Sequence, residues 1–326
     1  MSPPGFDTSL PLIATEAVPV CAVCGGRSTA PYARGYDYEL RTCRNEWTFV
    51  RCTACGHVWL NPRPTVGALS VIYPPHYYAY DYESRINALA RWGKSILDAR
   101  KLGGILARLE RAPHTYLDVG CGSGRYLRAM AARGLAKRDI RGLELDANVV
   151  KALAAEGFAA ECARVEDADI PAGTLDLVTM FHVLEHVDAP ERVVQRIATW
   201  LSPGGVLAVE TPNVEALDRR LFADTYWGGY HIPRHWHLFR AASPQRLLSQ
   251  AGLVPMATLY QTGHSFWMYS LHHRLRYGTR PHRRLAPWFD PFTNVVPLAA
   301  FTAFDKARAA FGARTSAMLM LARKPD

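Results

Sequence analysis

An α/β fold is what this 326-residue sequence predicts: a doubly wound sheet whose final strand runs antiparallel, with a small cysteine-rich ribbon ahead of it. Three observations carry that expectation. A glycine turn, Gly120-Cys121-Gly122-Ser123-Gly124, joins the apolar run Tyr116-Leu117-Asp118-Val119 to a helical segment. Short apolar runs then alternate with helix-length segments, the pattern of parallel strands joined by crossovers. Near the N-terminus, two Cys-x-x-Cys pairs stand in a segment too short to build a large core of its own.

In chain order, residues before about Thr15 read as a flexible leader. Residues 15–62 form the ribbon module. Its knuckles, Cys21-Ala22-Val23-Cys24 and Cys52-Thr53-Ala54-Cys55, supply four thiolates, the ligand set of a structural tetrahedral zinc. Gly25 and Gly56 follow the two pairs and let backbone amides turn toward the sulfurs. Cys43 lies between the knuckles and is a spare thiol. Cys121 and Cys162 are expected to be small buried residues of the larger domain.

Residues 63–112 read as a linker and a covering helix. Asn61-Pro62-Arg63-Pro64 breaks regular structure. The tyrosine-dense run from Ile72 to Tyr82 either packs the module onto the core or lines a substrate mouth. Ile86 to Leu109 has helical periodicity.

The domain proper is expected over 113–326. Its first helix runs from Arg125 to Arg133 and stops at Gly134. Ile140 to Leu145 is the second strand, and Leu175 to Val178 begins the fourth. Pro190 to Leu201 is a helix, and Ser202-Pro203-Gly204-Gly205 turns into a fifth strand ending at Glu210-Thr211-Pro212-Asn213. Ser243 to Ala251 is a helix stopped by Gly252. Leu253 to Gln261 and Ser316 to Ala322 are the last two strands, leaving residues 264–315 as an insertion that forms a lid or a dimer contact.

The glycine spacing selects the ligand. A dinucleotide fingerprint needs G-x-G-x-x-G, so that a pyrophosphate can rest on the helix N-terminus. Here the third glycine falls one residue early, at Gly124, and Arg125 holds the dinucleotide position. Asp118 stands just before the turn, where it would repel a pyrophosphate and attract an ammonium or sulfonium. Glu144, about 20 residues after Gly124, ends the next strand, where a carboxylate can accept both hydroxyls of a ribose. Asp118, Gly120, Gly122, Gly124 and Glu144 therefore form the candidate site for S-adenosylmethionine.

From about Pro113 to Gly263 the chain resembles the class I S-adenosylmethionine-dependent methyltransferases, which share this Rossmann-like sheet. The stretch from Leu117 to Gly124 matches their first motif and Glu144 falls at their ribose-binding acid. The run Phe181-His182-Val183-Leu184-Glu185-His186-Val187 and the Pro203-Gly204-Gly205 turn follow in the family's order. Where many members carry an acid-small pair beside the adenine, this chain has Arg164-Val165, so adenine contacts would rest on backbone groups. The layout is also similar to that of bacterial sugar C-methyltransferases, which join an N-terminal zinc module to this core. In that comparison His235 falls on the proposed base. Arg234 replaces their glutamate, and the C-terminal portion is shorter than theirs.

The resemblance implies methyl transfer to a small-molecule acceptor such as a saccharide, a nucleotide sugar or a related biosynthetic intermediate. Candidate bases lie after the fourth and fifth strands. They are His182 and His186, with Glu185 beside them, and His235, with His231 and His237 nearby. Arg234 and Trp236 would hold an anionic, partly apolar substrate. Pro233 argues against a helical His231/His235 metal pair.

A formal charge of +9 fits an anionic acceptor, and the dispersed Lys and Arg, Arg274 to Arg284 apart, argue against nucleic acid. Seven cysteines, four of them assigned to metal, suggest a reducing compartment. Without a signal-peptide pattern or a bilayer-length apolar run, a cytoplasmic protein is expected. Two alternatives stand beside this reading. An RNA or protein methyltransferase docking through its ribbon predicts a continuous basic surface, and a non-catalytic scaffold predicts no cofactor binding.

Overall fold

The computed structural model describes residues 6, 7, 9–74, 77 and 88–326. The chain resolves into two compact units that cut across its linear order. One comprises 77–211, 245–258 and 319–326, and the other 1–76, 212–244 and 259–318. Most of the tyrosine-dense run lies outside the described residues.

The first unit is organised by a seven-stranded sheet. Its strands are β1 (Tyr116–Val119), β2 (Ile140–Glu144), β3 (Ala159–Cys162), β4 (Leu175–Phe181), β5 (Leu201–Pro212), β6 (Val254–Gln261) and β7 (Ala317–Arg323). They lie in the order β6-β7-β5-β4-β1-β2-β3. The chain starts in the middle and winds outward in both directions, so the switch point falls beside β1. Strands β5, β4, β1, β2 and β3 pair in parallel. The final strand reverses. Lys324, just past β7, exchanges backbone hydrogen bonds with Gly204 and Gly205 at the start of β5, while Ser316, just before β7, accepts from Asn213 past its end.

Parallel strands buried on both faces should be continuously apolar. β1 is buried throughout, and so is β4 except at Asp176 and Phe181. Helices cover the sheet: Arg125–Ala131, Ala147–Ala155 and Pro190–Trp200. The first ends two residues earlier than the periodicity predicts, because Arg133 and Gly134 are taken into a tight turn on Met130 and Ala131. Asp146 caps the second by accepting from the amides of Asn148 and Val149. The third has Pro at its first turn and buries Val193, Val194 and Ile197. The covering helix spans Ala88–Leu106 among the described residues and buries Leu102 and Ile105.

The other unit contains a four-stranded sheet of Thr29–Gly35, Trp47–Cys52, Val58–Leu60 and His237–Leu238. Its core is dominated by aromatics, with Trp47, Phe49, Trp227, Tyr230 and Trp236 among its buried residues. The 264–315 insertion forms two helices, His264–Tyr277 and Val295–Ala310. Asp305 anchors the second by accepting from the Gly263 amide at 3.0 Å and from Trp267 Nε1 at 3.3 Å. Among the described residues no helix is long and apolar enough to cross a membrane.

Candidate active site

Strand register builds the site. Val119 pairs with Leu143 on one side and Met180 on the other, and Met180 pairs with Val209. One residue further on, Gly120, Glu144, Phe181 and Glu210 therefore form a single rank at the C-terminal edge, where open α/β sheets bind ligands.

The glycine turn fits a closely approaching ligand. Gly120, Gly122 and Gly124 have φ of 69°, 49° and 79°, the left-handed region that side chains resist. A Cβ on Gly120 would come within 2.4 Å of Val183, and one on Gly124 within 2.2 Å of Leu153. Those two glycines let helix and loop close against the strands. Glu144 ties the turn together: Oε2 accepts from the Gly122 amide at 2.8 Å and Oε1 from the Leu145 amide at 2.6 Å. Burial raises its pKa, against the pull of these amides.

Asp118 is buried one residue below this rank. Its strand neighbour Thr179 donates to Oδ1 at 2.6 Å, and Tyr116 and Thr179 share a hydroxyl hydrogen bond at 2.6 Å. Burial pushes the carboxyl up to about 7, only partly opposed by Thr179 and the cations Arg125 and Lys101. A fixed positive charge from a ligand would lower it again. The turn, Glu144 and Asp118 thus suit a nucleoside bearing a cationic centre. Arg164 is turned onto Glu166 at 2.8 Å and Asp188 at 3.1 Å.

At the end of β4, His182 adopts φ 56°, a costly conformation for a residue with a side chain. Its Nδ1 lies 3.1 Å from Oε1 of the wholly buried Glu185, and its Nε2 is 3.8 Å from Glu210. Since an ionised carboxylate only accepts, Nδ1 carries the proton toward Glu185 and Nε2 is the basic nitrogen of the neutral ring. Burial alone would lower the imidazole pKa, but Glu185 and Glu210 raise it overall. The ring remains 39% exposed, so a reactant can reach it.

The chain order and the glycine motif do not announce the groups behind this histidine. Lys101 reaches Glu210 at 2.5 Å and stands 4.1 Å above the Phe181 ring. Burial would raise Glu210, yet Lys101 and His182 hold it below its ordinary value. Asp98 accepts from Tyr126 at 2.7 Å and pairs with Arg125 at 2.9 Å. Two signals were available: Glu210 ends an apolar strand as Glu144 does, and Lys94, Asp98 and Lys101 form a charged stripe at helical spacing.

His186 follows on the turn, its amide donating to the Val183 carbonyl. His235 belongs to the other unit. Its Nδ1 is 2.8 Å from the Gly229 carbonyl, which can only accept, so Nδ1 donates. His231 sits 2.5 Å from Glu39, a partner that no sequence pattern announces. Arg234 and Trp236 are not substrate groups. Both are fully buried, and Arg234 grips Asp37 with two nitrogens at 2.9 and 3.2 Å while donating to the Ile72 carbonyl. A guanidinium this deep needs a carboxylate partner, and Asp37 supplies it. Burial would raise Asp37, but Arg234 holds it down at about 2.

In the same unit the sulfurs of Cys21, Cys24, Cys52 and Cys55 all lie within 4.8 Å of one another. Two of the pairs stand 3.6 and 3.5 Å apart. Four thiolates around zinc at about 2.3 Å require separations of about 3.8 Å, so the cluster fits a tetrahedral ion. Gly25 and Gly56, with φ 74° and 76°, make the knuckle turns, in which the Gly25 amide donates to Cys21 and the Gly56 amide to Cys52. Cys43 is buried away from them, while Cys162 is exposed rather than a core residue. The burial pattern of β3 leaves that edge strand largely open to solvent.

A family model described as a methyltransferase domain matches residues 85–257. Relatives include a ubiquinone biosynthesis O-methyltransferase of Chromobacterium violaceum, 36% identical over 108 residues that cover 31% of this chain and 45% of that protein. Another, from Burkholderia cenocepacia, is 35% identical over 130 residues, covering 36% and 52%. The chain spans about half the length of the curated relatives it matches. A solved methyltransferase from Archaeoglobus fulgidus is similar over 71% of this chain and 94% of its own, at 14% identity and a TM-score of 0.47. With the glycine turn, the ranked strand ends and a model match over more than half its length, the chain belongs to the methyltransferase domain family.

Proposed function

We propose that the protein is an S-adenosylmethionine-dependent methyltransferase acting on an oxygen or carbon of a small-molecule acceptor. The observation that carries this reading is the glycine turn locked to Glu144, with Asp118 below it, at the switch point of the sheet. When bound, S-adenosylmethionine supplies a methyl group on a sulfonium, ready for in-line displacement. The chain's own work is positioning and proton handling. Glu144 exchanges its amide partners for ribose hydroxyls, and Asp118 ionises to face the cationic centre. His182, held in one tautomer by Glu185, takes the acceptor's proton at Nε2. Glu210 stabilises the imidazolium that forms, and Lys101 keeps Glu210 ionised. Zinc on the four cysteines would fix the ribbon fold and take no part in the chemistry.

For the acceptor we propose a saccharide, nucleotide sugar or related biosynthetic intermediate. A phenolic ring is the second reading, favoured by the relatives named ubiquinone biosynthesis O-methyltransferases. His235 and His186 are retained as alternative bases. The test is incubation with methyl-labelled cofactor and a panel of nucleotide sugars, glycans, catechols and RNA, read by mass spectrometry. A mass gain on a sugar or catechol supports the reading, whereas transfer to RNA alone, or calorimetry showing no cofactor binding, would sink it.

A further inference from the structure

The helix Val295–Ala310 leaves apolar side chains on its outer side as well as its inner one. A surface helix normally buries its apolar stripe and shows water a polar one. Here the inward face carries Asp305, which binds the Gly263 amide and the Trp267 indole, and Phe301, which stacks on Trp267 at 5.5 Å. The outward face is apolar. Val296, Ala300, Ala303, Ala307 and the helix-ending Phe311 fall within an arc of about 80° at 100° per residue, and all are exposed, while Phe304 at its border packs edge-on against Trp267 at 5.6 Å. Val296 is 64% exposed, Phe304 43% and Phe311 90%.

The same insertion carries an exposed basic-aromatic segment, Arg280-Pro281-His282-Arg283-Arg284-Leu285, followed by Trp288 at 58% exposure. No acid lies between Arg280 and Trp288, and Lys306 borders the apolar arc. Asn294, the helix's N-cap, donates to the Trp288 carbonyl at 3.1 Å and so ties this segment to the start of the helix. Cations next to an exposed tryptophan, joined to an apolar helix face, suit a surface that is anionic outside and hydrocarbon inside. At 16 residues the helix is too short to span a bilayer and suited to lying along one.

We infer that the 264–315 insertion docks the protein on an anionic lipid surface, with Val296, Phe311 and Trp288 entering the headgroup boundary and Arg280, Arg283 and Arg284 facing lipid phosphates. The inference is independent of methyl transfer. It is tested by co-sedimentation of the full zinc-loaded chain with vesicles of phosphatidylcholine alone and of phosphatidylcholine with phosphatidylglycerol. Partition is expected only with phosphatidylglycerol and should weaken with salt. Each charge reversal at Arg280, Arg283 or Arg284 should weaken it at least about fivefold, corresponding to about 1 kcal/mol per cation. Phe311→Ser and Trp288→Ala should also release the protein while leaving its circular dichroism unchanged. Absence of partition, or partition indifferent to these substitutions, overturns the inference. So does a concentration-dependent dimer that Phe311→Ser disperses, which would assign the face to a second copy of the chain.

Discussion

The two acids beside the glycine turn and the two acids paired with Arg234 and His231 are displaced in opposite directions. At the sheet's edge, burial pushes Asp118 up to about 7 and raises Glu144, because their partners are neutral hydroxyls and amides. In the ribbon unit, Asp37 is held near 2 and Glu39 is lowered, because each meets a cationic or ionisable partner that outweighs its burial. A raised acid is one that still gains from a positive charge. A lowered acid already has that charge. The contrast separates Asp118 and Glu144, which a positive charge would still stabilise, from Asp37 and Glu39, which already have Arg234 and His231 as partners.

Several experiments can break or sharpen this comparison. The largest effect should come from the metal. Removing the zinc proposed for the four cysteines with a chelator, or Cys52→Ser, should unfold the ribbon unit, since structural zinc contributes about 10 kcal/mol or more. Thermal melts and metal analysis would register it. Next comes the buried pair: Asp37→Asn leaves Arg234 without its counter-charge and should cost about 3–5 kcal/mol in denaturant titrations. A double replacement by apolar residues should recover much of that loss.

In the sheet unit, Gly124→Ala forces a Cβ into Leu153 at a left-handed φ and should destabilise by about 1–3 kcal/mol. Asp118→Asn and Glu144→Gln should leave stability near wild type and weaken cofactor binding about 10- to 100-fold, measured by calorimetry. Unchanged affinity in both would remove these acids from the site.

The mildest test is pH. Asp118 has a folded pKa above its unfolded value of about 4, so the folded state holds a proton that the unfolded state has lost between about pH 4 and 7. Its contribution to stability is therefore full below about 4 and disappears as pH rises through 7. Cofactor affinity should move the other way, falling as pH drops below 7 and the carboxyl becomes neutral. Asp118→Asn should flatten both profiles. His182 adds a kinetic check. Glu185→Gln should lower kcat about 10- to 100-fold with KM nearly unchanged, and should move the acidic limb of the rate profile to lower pH, because the charge that raises the His182 pKa is gone. An unchanged profile would point to another base.

Much of the sheet was legible because its signals are local. A glycine turn after an apolar strand, a proline-started helix and an acid at a strand end each reflect backbone geometry within a few residues. So do the two knuckles, whose glycines make the same tight turn. The roles of Arg234 and Trp236, expected to hold a substrate, were not legible, because burial is decided by what folds over a segment. Cys162 was misjudged for the converse reason: its strand ends at the edge of the sheet, where one side stays open. Lys101, Asp98 and Glu39 went unassigned because their partners lie far away in sequence.

Sequence alone determined the α/β alternation, the turn that excludes a dinucleotide, and a four-sulfur set of zinc-binding type. These follow from steric rules and ligand chemistry that act over short distances. Tertiary structure decided which acids burial raises and which a partner holds down, since a pKa depends on every group packed around it. It also decided that one helix of the insertion turns its polar anchor inward and an apolar face to the outside, which no periodicity can reveal until it is known which side is covered.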